Sequence, residues 1–287
     1  MATLYDGKGN VITVSSGTAA ASPAKLNFTK TTHGVNHRGY NTAPENTLPA
    51  YRLSAEKGFS FVEADVRYTS DGVPVLLHES SLNHTARNAD GTELAETIYI
   101  KDITYEEALA YDYGIWKSAD YAGTKIPTLE EFLILCKKLS LHAYLDMKGG
   151  TAAQLEGVVE MVKAHGMEDW VSYIGSTTQL KIIVGLNKYA RVGILDSGYG
   201  ADNTATVISD AKSLMTGYNE VFIDYWYENG RTEPAAYFEA GLTMEFYTFS
   251  NTEKTALEAF SQHPYMVGWT ADSVNIEDVL RSSGLSE

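Results

Sequence analysis

The chain has 287 residues, 44% of them hydrophobic and 21% charged, a balance that can bury a sizeable core. Its 22 basic residues stand against 37 acidic ones, a net charge of −15, which repels polyphosphate and argues against nucleic acid or an anionic membrane surface as partner. One cysteine, Cys136, excludes an internal disulfide, and no apolar run approaches the roughly 20 residues of a membrane-spanning helix.

The first residues carry Asp6 and glycines where a secretory signal needs basic residues and an apolar stretch, so the expected location is cytoplasmic. Residues 1–27 read as an appended arm and linker, through which the chain can join a larger assembly. Within them, residues 4–14 form a hairpin about the turn Asp6-Gly7-Lys8-Gly9-Asn10, and small residues fill 15–22. A strand plugging the bottom of a barrel is the alternative for this segment.

From Thr32 onward, strand-like runs alternate with helical patterns. The strands are expected at residues 34–37, 61–68, 142–148, 171–175, 191–195, 221–226, 243–249 and 265–270, with amphipathic stretches such as 155–164 and 252–260 between them. Eight such units predict a TIM (β/α)8 barrel over residues 28–287. A ninth run, 74–77, follows the turn Thr69-Ser70-Asp71-Gly72 and can only return antiparallel to the second strand. Residues 79–125 show no clear period and read as an inserted cap. Thr128 with Glu131 is a capping box, opening a helix on which Cys136 faces the core.

Glu63 and Asp65 are the sharpest chemical feature. At i and i+2 of a strand they face one way, while Val62, Ala64 and Val66 face the other. Inside a barrel two such acids repel each other, and a hard divalent cation, Mg²⁺ or Ca²⁺, relieves the repulsion. A solvated edge strand is the alternative. Counting back from a Thr69–Gly72 turn pairs Tyr68 with Val73 and places Glu63 opposite His78, within reach for acid/base work. His37-Arg38-Gly39 ends the first strand, where barrels carry catalytic groups, and Asp146 and Lys148 share one face at the end of the third. His33, His142, His165 and His263 read as structural or surface residues. The cluster Tyr225-Trp226-Tyr227 reads either as a wall for an alcohol head group or as packing.

These stretches together resemble one family. His37-Arg38-Gly39, followed by Ala43-Pro44-Glu45-Asn46-Thr47 and Ala50, is similar to the opening signature of glycerophosphodiester phosphodiesterases. Glu63-x-Asp65-Val66-x-x-Thr69-x-Asp71-Gly72-x-Pro74-Val75, then His78, resembles their second signature, and residues 126–131 and 241–250 resemble later ones. The resemblance covers roughly residues 32–280 and extends in fold to phosphoinositide-type phosphodiesterases. It implies one divalent metal ion on Glu63 and Asp65, with Asp146 as the third carboxylate, catalytic His37 and His78, and phosphate contacts from Arg38 and Lys148. It implies hydrolysis of glycerophosphodiesters, small or polymeric, to glycerol 3-phosphate and an alcohol. The neighbouring glycerol hydroxyl attacks phosphorus, the two histidines move protons, and water opens the cyclic phosphate. The chain departs from the family at Asp146 and Glu79, where it usually has Glu and Asp, and at His84, where Arg is frequent. Phe246 or Tyr247 stands for its Trp.

Two other functions fit parts of the pattern. A lipid-directed phosphodiesterase of the same barrel class needs an apolar insertion, whereas 79–125 holds Asn88, Asp90, Glu93, Glu96 and Lys101. A non-catalytic binding barrel on a larger assembly has no physical need for both His37 and His78.

Overall fold

Alternating strands and helices wind into a closed barrel, as the patterning predicts. The computed structural model describes residues 32–196, 203–227, 233–248 and 252–285, and the backbone of two short strands, β1 (Leu4–Tyr5) and β2 (Val11–Ile12). These two pair antiparallel, Leu4 opposite Ile12, as a hairpin requires. The turn expected at 6–10 and the run at 15–22 lie outside the described residues.

The other strands are β3 (His33–Asn36), β4 (Phe61–Tyr68), β5 (Pro74–Leu76), β6 (His142–Met147), β7 (Val171–Gly175), β8 (Arg191–Leu195), β9 (Val221–Trp226), β10 (Thr243–Tyr247) and β11 (Gly268–Ala271). All but β5 run parallel, and β3 pairs with both β11 and β4, which closes the ring. The helices that return the chain are α1 (Leu48–Glu56), α3 (Leu129–Leu139), α4 (Ala152–Ala164), α5 (Thr177–Leu186), α6 (Thr204–Leu214), α7 (Glu233–Glu239), α8 (Glu253–Gln262) and α9 (Ile276–Ser282), with α2 (Tyr105–Ala108) in the insertion. Capping boxes at Thr128, Thr151 and Ser176 start α3, α4 and α5. The last strand starts three residues later than expected because Met266 N–H bonds His263 O in a turn. Among the described residues no helix is long and apolar enough to cross a membrane.

Side-chain parity sorts each strand into two faces. Val62, Ala64 and Val66 of β4 join the apolar layer under the helices, which also holds Cys136 of α3. Phe61, Tyr144, Ile174 and Phe222 fill the barrel interior. A buried polar group crosses the interior near the strand starts. There Arg191 pairs with Glu245 and donates to Tyr144 Oη (2.8 Å) and Ser172 Oγ (2.9 Å). Tyr144 donates to Glu245 Oε1 (3.1 Å), and His33 Nε2 lies 2.8 Å from Tyr144 Oη. Gly268 leaves room for this group, since a Cβ there would stand 2.9 Å from the Glu245 carboxylate.

The β4–β5 hairpin corrects one expectation. Tyr68 pairs with Pro74 and Val66 with Leu76, so the register is one residue away from the Tyr68–Val73 pairing. Thr69 N–H bonds Val73 O (3.1 Å), which leaves a three-residue loop, Ser70-Asp71-Gly72, with Gly72 at φ 83°. Three-residue hairpin loops of this sort place a glycine in the left-handed region at their end. Continued along the strands, the register sets His78 opposite Ala64 instead of Glu63. Residues 79–125 wrap a small core of their own, with Leu82, Ala86, Ile100, Ala108, Tyr113 and Ile126 packed on Val75 and Leu77.

Breaking a buried ion pair from one side leaves the other charge uncompensated, at a cost of about 3–5 kcal/mol. Arg191→Met is therefore expected to lower unfolding free energy by about that much in urea titrations. Adding Glu245→Leu is expected to recover most of the loss.

Candidate active site

The parallel register of β4 and β6 brings the acids together. Asp65 stands directly beside Asp146, and Glu63 lies one step below Asp65 on the same interior face. Oxygens of Glu63, Asp65 and Asp146 lie within 4.8 Å of one another, and all three residues are buried. Burial, then repulsion from Asp65 and Asp146, pushes the Glu63 carboxyl well above its ordinary range. Burial raises Asp146 as well, with Asp65 adding to it against Lys148. Burial acts the same way on Asp65, but Lys148 and Arg38 outweigh it and hold that carboxyl low. Three hard oxygen donors, buried and under-compensated, fit a divalent cation. Asp146, though shorter than Glu, still reaches the cluster.

The loop after β3 supplies the positive side. Only the first residues of β4 pair with β3, and β5 takes the same edge from Val66 onward. In the gap, Arg38 N–H donates to Glu63 Oε2 (2.9 Å), and Asp65 N–H donates to Asn46 Oδ1 (3.1 Å). Asn46 returns a bond from Nδ2 to Asp65 Oδ2 (2.7 Å), and Tyr51 Oη donates to Asn46 Oδ1 (3.1 Å). Arg38 and Asn46 both sit at positive φ, 53° and 55°, a strained backbone for arginine that aims its N–H at the carboxylate. Gly39, at φ 83°, is required because a Cβ would stand 2.6 Å from that of Ala50. Arg38 forms ion pairs with Asp65 (3.3 Å) and Glu45 (3.3 Å). Lys148 bridges Asp65 (3.1 Å) and Asp146 (2.5 Å), and their two charges hold its ammonium above its ordinary range despite burial.

The two histidines flank this cluster. His37 Nδ1 lies 2.7 Å from Asp272 Oδ1, and His78 Nδ1 lies 2.9 Å from Glu79 Oε1. With Nδ1–H donated to a carboxylate, each ring presents Nε2 as its free nitrogen. Burial lowers the pKa of His78, partly opposed by Asp65, so the two groups share one electrostatic environment. The shifted hairpin register thus still delivers His78 to the acids. Asp272 was not legible as a site residue, because the last strand was read as ending at Thr270. It stands just past β11, at the barrel end where site groups collect. His84 lies on the insertion with its ring 6.0 Å from Trp116. His33 and His142 belong to the interior polar group, His165 pairs with Glu130 at 2.9 Å, and His263 packs 5.2 Å from Phe246.

Residues 37–223 match the profile of the glycerophosphoryl diester phosphodiesterase family. Over 130 residues the chain is 35% identical to glycerophosphodiester phosphodiesterase 1 of Homo sapiens, a match covering 44% of this chain and 37% of the human protein. It is 30% identical over 141 residues to a glycerophosphodiester phosphodiesterase of Caldanaerobacter subterraneus subsp. tengcongensis, covering 48% of this chain and 55% of that one. The chain thus spans about half or less of the curated relatives' length. In fold it is similar to an Oleispira antarctica phosphodiesterase solved with its product sn-glycerol-3-phosphate, at 21% identity and a TM-score of 0.70, covering 88% of this chain and 96% of that one. An Agrobacterium tumefaciens glycerophosphodiester phosphodiesterase aligns at a TM-score of 0.66 and 21% identity, covering 88% and 99%.

Because Glu63 is pushed up, the folded protein holds its proton more tightly than the unfolded chain does. The resulting stability is present below the ordinary carboxylate range and is lost as pH rises through the raised value. Near neutral pH without metal, Glu63→Gln is therefore expected to melt higher than the wild-type protein, with the gap closing in acid. Added Mg²⁺, Ca²⁺ or Mn²⁺ is expected to raise the wild-type melting temperature and leave the variant unmoved. An equal metal response in the two proteins would remove Glu63 from the cation site.

Proposed function

The chain belongs to the glycerophosphoryl diester phosphodiesterase family, and we propose that it hydrolyses glycerophosphodiesters to glycerol 3-phosphate and an alcohol. The observation that carries this reading is the buried cluster of Glu63, Asp65 and Asp146, flanked by Arg38, Lys148 and two carboxylate-held histidines at one end of the barrel. Glu63, Asp65 and Asp146 would hold one divalent cation, Mg²⁺ or Ca²⁺, which supplies positive charge against the phosphate. Arg38 and Lys148 bind and orient the phosphate oxygens.

His37, fixed by Asp272, takes the proton of the glycerol 2-hydroxyl as its oxygen attacks phosphorus. The bond from phosphorus to the other alcohol breaks, and that oxygen receives a proton from His78. Water then opens the cyclic phosphate at the 2-oxygen, with the two histidines exchanging roles. Residues 79–125 form a cap beside the site. The cap exposes Asp90, Glu93, Glu96 and Lys101, which favours a polar substrate over a lipid surface.

Replacing either His37 or His78 by Ala is expected to cut turnover by on the order of a hundredfold or more, and the double variant to be little worse. The nucleophile is tested with a glycerophosphodiester methylated at its 2-hydroxyl, assayed for alcohol release. The reading expects binding to persist and turnover to fall at least ~100-fold, since an intramolecular attack gains much of its rate from orientation. Undiminished cleavage of the blocked ester would point to direct attack by water instead.

A further inference from the structure

One interior acid, Asp224, belongs to neither of the charged groups described above. It lies on β9 with the parity of Phe222, which fills the barrel interior, so its side chain faces inward, and the residue is only 7% exposed. Glu245 stands beside it on β10 but is engaged by Arg191 and Tyr144. Lys148 is within electrostatic reach, yet it is bound to Asp65 and Asp146. Among the described residues the Asp224 carboxyl has no hydrogen bond and no ion pair. Burying a carboxyl without a partner is costly, so its partner is to be sought in what the site binds.

Around the closed sheet β9 lies opposite β4, the strand that carries Glu63 and Asp65. Asp146 and Lys148 lie within electrostatic reach of Asp224, which sets it across the barrel interior from the place where a phosphate is held. Phe222, one step toward the strand start, closes the interior beneath it. Leu195 of β8, its other neighbour in register, adds an apolar wall. A ligand arm that reaches this position must therefore be short, with carbon for Leu195 and a polar end for Asp224. A phosphodiester held at the acids has one arm of fixed length, glycerol, and one whose alcohol varies. The variable arm needs the open end of the barrel, which leaves the enclosed side to glycerol.

We propose that Asp224 binds the terminal hydroxyl of the glycerol arm, so that the site selects glycerol over a three-carbon diol lacking that hydroxyl. The proposal rests on the phosphodiesterase reading above. With phosphorus at the acids and the 2-hydroxyl beside it, the terminal hydroxyl is the remaining polar group of that arm. A hydroxyl both donates and accepts, so it pairs with a carboxyl in either protonation state. Burial, then Glu245 and Asp146, push the Asp224 carboxyl well above its ordinary range, which suits a hydroxyl better than a cationic group.

The test measures kcat/KM for glycerophosphocholine and for the propane-1,2-diol ester that lacks only the terminal hydroxyl. The wild-type protein is expected to prefer the glycerol ester by on the order of a hundredfold or more, because a site built for a hydroxyl rejects the analogue without it. Asp224→Ala should bring the ratio close to one through a loss on the glycerol ester. Asp224→Asn, which also donates and accepts, should keep part of the preference. Equal wild-type rates on the two esters would overturn the proposal without reference to any variant, and so would a ratio that Asp224→Ala leaves unchanged. If neither ester is cleaved, the phosphodiesterase reading fails, and calorimetry in Mg²⁺ with glycerol 3-phosphate and propane-1,2-diol 1-phosphate decides the subsite. Tighter binding of glycerol 3-phosphate, lost in Asp224→Ala, supports it, and equal or absent binding overturns it.

Discussion

Three buried carboxylates within 4.8 Å of one another repel, and the arrangement of the barrel's site end follows from what offsets that repulsion. Each ionised pair at that spacing costs roughly 3 kcal/mol at an effective dielectric near 20. Arg38, Lys148 and the Asn46 amide stabilise Asp65 most, which leaves Glu63 with little beyond one backbone N–H. The strained φ of Arg38, the glycine at 39 and the interrupted β3–β4 ladder all serve to place that N–H and that amide.

A second charged group in the same interior behaves in the opposite way. At the strand starts Arg191 is paired with Glu245 and holds that carboxyl down to about 2, despite its burial. Tyr144, Ser172 and His33 add hydrogen bonds around the pair. That group carries its own compensating charge inside the barrel. The acids at the other end remain short of positive charge, and an under-compensated buried cluster is what separates a binding site from a structural ion pair.

Much of this was legible because period-two alternation is a strong physical signal. Glu63 and Asp65 on one face, Val62, Ala64 and Val66 on the other, and a barrel of alternating units all follow from it. The hairpin register was misplaced by one residue, since Thr69–Gly72 reads as a turn whether its loop holds three residues or four, and only the Thr69–Val73 bond decides. Asp272 was hidden by a strand end set two residues short of it. The Arg191 group was invisible for another reason: Arg191, Glu245, Tyr144 and His33 come from four strands, and nothing in their spacing along the chain marks them as neighbours. The cluster Tyr225-Trp226-Tyr227 resolves only through the β9–β10 register, which sets Trp226 beside Tyr247 and apart from the two buried tyrosines that flank it.

The central claim is that Glu63, Asp65 and Asp146 exist to share a divalent cation. Anomalous diffraction from crystals soaked in Mn²⁺ tests it most directly, because the signal locates the ion without reference to activity. The account predicts one strong peak bounded by oxygens of those three residues, with His37 and His78 at its flanks. Saturating Mn²⁺ that leaves the cluster empty, or a peak held by other residues, would contradict it.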